Sequence, residues 1–365
     1  MILSESYTQD WIRGKRKKYR ESAPNPAIME KVIYALSLVE QLAQTDLSFT
    51  FKGGTSLLLI LPEPKRFSID VDIVTTESRE KIEAVLTGIC SGGIFSKFEL
   101  DERRSYNPGI PKAHYKLTFF SQSDNKELWI LLDILFEEHG YTALVQAPII
   151  NEWIQTDDKL VTVQIPSADS ITGDKLTAFA PNTVGIRFRV EDADGGITEK
   201  QMEVMKQLFD IGILFDRISN LDHLKQSFTT TAQKEISYRG EANITTESVL
   251  NDIITTSLMI GSQGKFFDPN QEFQHIAKGL TQLKSYIYNG SFRIDDAVLA
   301  SAKAAYLAAM ILTGYEGEII RWAEGNDIMN YSITPIEYQF LNKRRNIPGA
   351  PLFYWYQTLS LLGKL

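Results

Sequence analysis

Two hydrophobic periods divide this chain. Between residues 47 and 165 the apolar positions alternate or run together over short stretches, as in strands. From residue 169 onward they recur every three or four residues, as in helices. The cleanest alternation spans 66–74: Phe67, Ile69, Val71 and Ile73 fall on one side, and Arg66, Ser68, Asp70 and Asp72 on the other. Residues 127–136 are nearly all apolar, which predicts a central strand covered on both faces, with Asp133 the one charge in its interior. Further strands are predicted at 47–52, 97–101, 114–121 and 160–165. Helical spacing predicts a helix over 27–43, with Asn25 as N-cap and Pro26 at its first position. Shorter helices follow at 56–61 and 80–86, and a series at 174–180, 199–215, 220–231, 246–260, 272–285, 295–312 and 335–343.

This pattern predicts an α/β (α+β) chain in two parts. Residues 1–168 would form a mixed β-sheet domain with flanking helices and a basic lead-in, and residues 169–365 an all-helical domain. A length of 365 residues accommodates both. The single Cys90 excludes a disulfide framework and no Cys/His spacing suits zinc, so a reducing, cytoplasmic setting is expected. The first ten residues are polar, unlike a secretory signal. The apolar stretch 297–313 is interrupted by Lys303 and is too short to span a bilayer, so no membrane partner is expected.

A net charge of −8 gives no general attraction for polyanions. One stretch departs from it: Arg13, Lys15, Arg16, Lys17, Lys18 and Arg20 put six cations into eight residues. They form either a solvated basic helix face or a contact for an RNA backbone.

Candidate chemistry gathers early in the chain. Gly53 and Gly54 let the backbone turn sharply, and Thr55 and Ser56 follow at the start of a helix, where N–H groups and hydroxyls can face a phosphate. A tight turn without a ligand would have the same sequence. In a strand Asp70 and Asp72 stand about 7 Å apart on one face, suited to a hard cation such as Mg²⁺, or simply solvated. Asp133 in an apolar strand needs a partner: Arg66, Lys112, or a metal shared with the aspartate pair. The four histidines share no motif and read as structural or solvated, and the aromatic run 353–356 reads as core-closing or as an oligomer contact.

Gly53-Gly54-Thr55-Ser56, thirteen residues, then Asp70-Val71-Asp72 resembles the signature of DNA polymerase β-like nucleotidyltransferases. The longer stretches 51–57 and 66–73 resemble the AbiEii/AbiGii toxins of bacterial toxin–antitoxin and phage-abortive-infection systems. The resemblance implies transfer of a nucleoside monophosphate from an NTP to an acceptor hydroxyl, with release of pyrophosphate. It implies Mg²⁺ (or Mn²⁺) in a two-metal site on Asp70, Asp72 and Asp133, with Asp133 also assisting deprotonation of the hydroxyl. Gly53, Gly54, Thr55, Ser56 and Arg66 would hold the nucleotide. Lys175 matches the family lysine that contacts the triphosphate, and Asp210 matches a later family aspartate, although Gln207 stands where many members carry an acid. Arg187 and Arg189 lie in a longer connection and would reach the nucleotide or the acceptor. The implied acceptor is RNA, with the tRNA 3′ end the specific expectation, and the implied partner an antitoxin. The residues alone leave two alternatives: the same chemistry on a small molecule or protein, and a nucleotide- or partner-binding module without turnover.

Overall fold

A computed structural model of the chain describes residues 1–365 apart from 106–108, 192–194, 242 and 324, and apart from the side chains of 103 and 104. The chain divides into two units, Met1–Ser167 with Ser285–Ser291, and Ala168–Lys284 with Phe292–Leu365.

The first unit carries helices α1 (Gln9–Lys18), α2 (Pro26–Ala43), α3 (Gly53–Ile60), α4 (Arg79–Ser91) and the short α5 (Glu102–Ser105). Its strands β1 (Thr50–Lys52), β2 (Val71–Thr75), β3 (Lys97–Leu100), β4 (Lys112–Ser121) and β5 (Lys126–Phe136) form one sheet in the order β1-β2-β5-β4-β3. All neighbours are antiparallel except β2 and β5, which run parallel. A parallel pair cannot close through a tight turn, so the chain crosses from β2 to β5 by way of α4, β3 and β4. Strands β6 (Leu144–Pro148) and β7 (Thr162–Pro166) make a separate antiparallel pair.

Helix α2 forms as its sequence requires. The Asn25 side chain accepts a hydrogen bond from the Ala27 N–H, and Pro26 occupies the first turn, where its missing N–H costs nothing. Its Val32, Leu36 and Val39 share one core with Val71, Ile73, Leu132, Ile134 and the Ile82 and Leu86 of α4. This core covers one face of the sheet. Burial along β5 therefore alternates: Ile130, Leu132 and Ile134 are buried, Leu131, Asp133 and Leu135 are half-buried, and Trp129 is 46% exposed. The strand expected to be covered on both faces is covered on one. Buried Glu30 of α2 accepts from Ser121 Oγ (2.6 Å) and the Gln122 N–H (2.7 Å), pinning the β4–β5 turn and with it the strand register.

Two expectations change here. The basic lead-in is a docked helix: Ile12 of α1 is buried, Trp11 Nε1 donates to the Trp153 carbonyl at 2.8 Å, and Lys18 pairs with Glu152 at 2.7 Å. The boundary at 168/169 also leaves out an excursion. Residues 285–291 pack with the first unit because Ile287 bridges Arg66, the Phe67 N–H donates to the Tyr286 carbonyl, and Tyr288 stacks among Phe67, Trp153 and Tyr19.

The second unit is built of α6 (Ala168–Ala178), α7 (Gln201–Leu214), α8 (Leu221–Arg239), α9 (Thr246–Ser262), α10 (Phe273–Leu283), α11 (Ile294–Leu312) and α12 (Pro351–Leu361), with a hairpin of β8 (Arg189–Glu191) and β9 (Ile197–Glu199). Alanine-rich α11 is buried along most of its length and packs on α7, α9 and α12. Its Lys303 is accommodated by Asp216 at 2.8 Å. Phe353, Tyr354 and Trp355 on α12 are buried, so the aromatic run closes the core. Residues 336–344 form a 3₁₀ helix where an α-helix was expected. Among the described residues, no helix is long and apolar enough to cross a membrane.

Candidate active site

The glycine turn sits between β1 and α3 and is shaped by what lies against it. Gly53 has φ +74°, a conformation that costs an L side chain about 1–2 kcal/mol. A Cβ there would lie 2.8 Å from the carboxyl carbon of Asp72. On Gly54 it would lie 2.7 Å from Ser68 Oγ and 2.8 Å from Arg66 Nη2. The two glycines thus let the Asp72 carboxylate and the Arg66 guanidinium close onto the backbone of the turn. Gly53→Ala is expected to destabilise the protein by about 2 kcal/mol in urea denaturation. Exposed Gly14 of α1 has nothing within 4 Å of a built Cβ, and Gly14→Ala should be neutral or stabilising by about 0.5 kcal/mol.

Thr55 and Ser56 are fully buried. The Thr55 hydroxyl donates to the Asp70 carbonyl, and Ser56 Oγ donates to the Gly53 carbonyl at 2.9 Å. Both hydroxyl protons, expected to face a phosphate, are used inside the turn. Thr55 in this way ties the turn to the residue just ahead of β2.

Pairing across the sheet assembles the remaining groups. Lys52 on β1 is in register with Asp72 on β2, Asp72 with Asp133 on β5, and Asp133 with His114 on β4. Residues in register share a face, so a lysine, two aspartates and a histidine form one row across four strands, on the face opposite the core. His114 Nδ1 stands 2.6 Å from Asp133 Oδ1. This histidine is not among the partners named for Asp133 from sequence. The histidine escaped notice because its polar position in β4 is visible by alternation, whereas its register with Asp133 is not. A second cation also escaped: Lys31 of α2, whose ammonium pKa is lowered by burial while the charge of Asp70 opposes the shift.

Asp70 differs from the spacing argument. It precedes the first residue of β2, where the strand alternation begins. Among the described residues, no group of three or more His, Cys, Asp or Glu side chains is arranged as a ready metal site. The donor chemistry still fits a hard divalent cation. Two carboxylates side by side on neighbouring strands, about 5 Å apart, repel unless positive charge offsets them, and glycine at 53 leaves room for one of them to turn.

Lys175 and Asp210 lie in the second unit, on α6 and α7, and they meet: Nζ stands 3.1 Å from Oδ2, with both side chains at most 6% exposed. On the same helix as Asp210, Lys206 stands 4.0 Å from Glu203. Arg187 pairs with Glu241 at 3.2 Å and Arg189 approaches Glu199 at 3.7 Å, both half-exposed.

The protein family described as Nucleotidyl transferase AbiEii toxin, Type IV TA system, matches residues 37–288, more than half of the chain. The chain is also similar to two crystal structures from Helicobacter pylori. One is of a candidate nucleotidyltransferase (17% identity, TM-score 0.40, covering 79% of this chain and 95% of that one). The other is of JHP933 (17% identity, TM-score 0.40, covering 79% and 91%). No curated protein matches the chain.

Proposed function

Since this chain belongs to the AbiEii nucleotidyltransferase toxin family of type IV toxin–antitoxin systems, we propose that it transfers a nucleoside monophosphate from an NTP to a hydroxyl of RNA. The tRNA 3′ end is the specific acceptor of this reading, and a cognate antitoxin its protein partner, in the cytoplasm. The observation that carries the chemistry is the Asp72–Asp133 register beside the Gly53–Gly54 turn.

In this reading the acceptor oxygen attacks the α-phosphorus, the bond from that phosphorus to the bridging oxygen breaks, and pyrophosphate leaves. Asp133 receives the hydroxyl proton. Asp72 and Asp133, with Asp70 nearby, would hold Mg²⁺, which when bound offsets the charge of the triphosphate. The N–H groups of the turn and the guanidinium of Arg66 hold phosphate oxygens. The direct test is incubation with each labelled NTP, Mg²⁺ and total tRNA. Lack of transfer with every NTP overturns the proposal.

The RNA acceptor is supported by α1, which is anchored by Ile12 and Trp11 while Arg16, Lys17 and Arg20 remain exposed. Replacing these three by alanine should raise the KM for RNA and leave that for NTP unchanged. The log–log salt dependence of RNA binding should flatten by about 2, at about 0.7 for each phosphate no longer neutralised. An unchanged salt slope would turn the reading toward a small-molecule or protein acceptor, which the net charge of −8 favours.

A further inference from the structure

The row across the sheet contains a histidine to which the chemistry above gives no part. His114 is in register with Asp133, and its Nδ1 is 2.6 Å from Oδ1. Its backbone is held from both sides. The His114 N–H donates to Ser105 Oγ at 2.9 Å, and its carbonyl accepts from the Asp101 N–H at 2.7 Å. Buried Ser105 in turn donates to the Asp101 carbonyl at 2.8 Å. The other ring nitrogen, Nε2, is buried with no hydrogen-bond partner among the described residues. Hydrogen-bond logic then assigns the tautomer. A carboxylate only accepts, so the proton belongs on Nδ1. A buried Nε2 without a partner is better left with a lone pair than with a second N–H.

From this geometry we propose that His114 is a positioning residue for Asp133. Its Nδ1–H fixes one oxygen, and hence the plane, of the carboxylate that receives the proton of the acceptor hydroxyl. An aspartate side chain has two rotatable bonds, and the contact with His114 Nδ1 restricts both. A strand-borne histidine with an anchored backbone removes that freedom before substrate arrives. The inference rests on the nucleotidyl-transfer reading for its consequence, but not for its geometry.

Two measurements on the full chain decide it. The first needs no activity. In ¹⁵N-labelled protein the His114 ring signals, identified by their loss in His114→Leu, should report an Nδ1–H tautomer and should move on Asp133→Asn. A signal unchanged by Asp133→Asn overturns the contact and the proposal with it. The second is kinetic. His114→Leu should lower kcat about tenfold or more with the NTP KM within about twofold, and His114→Asn, whose amide can donate near the Nδ1 position, should recover most of it. A kcat unchanged in His114→Leu, or equal losses in both variants, overturns the positioning role. If the wild type transfers nothing to any acceptor, the proposed function fails while the spectroscopic result still decides the His114–Asp133 link.

Discussion

Asp72→Ala should lower nucleotidyl transfer by about a thousandfold while leaving the fold intact. Asp72 stands in register between Lys52 and Asp133, and the glycine turn is shaped around its carboxylate. Its removal deletes one of two neighbouring carboxylates that the proposal gives to the metal, a loss felt where charge develops on the phosphates. Stability should respond little. The like charge of Asp133 on one side and the opposite charge of Lys52 on the other act in opposite directions, so losing the carboxylate changes the unfolding free energy by about 1 kcal/mol at most. Labelled-nucleotide transfer and a urea midpoint on the same preparation separate the two effects. Transfer within tenfold of wild type would remove Asp72 from the reaction.

Lys175→Met should produce the largest stability change. The Lys175–Asp210 pair joins α6 to α7 at 3.1 Å and is almost wholly buried. Removing one partner takes the counter-charge from the other in a low-dielectric interior, which costs about 3–5 kcal/mol. Replacing both, in Lys175→Met/Asp210→Leu, should recover most of that loss, because an apolar pair of similar volume needs no solvation. Chemical denaturation of the two single variants and the double variant measures the coupling. A single variant as stable as wild type would mean that the pair contributes nothing to the second unit.

Much of this molecule is legible locally. Asn25 and Pro26 announce the start of α2, because a cap and a fixed φ act within one turn. Gly53 and Gly54 announce a turn that only residues without a Cβ can make so close to Asp72 and Arg66. The period of two along 66–74 assigns the apolar side chains to the core, although only 71–75 pairs as strand. The docking of α1 is harder to see in its charge-rich sequence, since its apolar contacts come from Trp11 and Ile12 among many cations.

What the chain determines by itself is therefore its elements, its sheet-then-helix order and the reacting residue types, since periodicity, caps and turns act over a few residues. Tertiary structure alone decides three things. Register brings His114, dismissed from sequence as structural or solvated, to Asp133. Helix packing joins Lys175 to Asp210. A strap at 285–291, more than two hundred residues downstream, holds the segment that leads into Asp70 and Asp72. Each depends on contacts between positions far apart in the chain, chosen by how buried surfaces fit, and no local pattern encodes that choice.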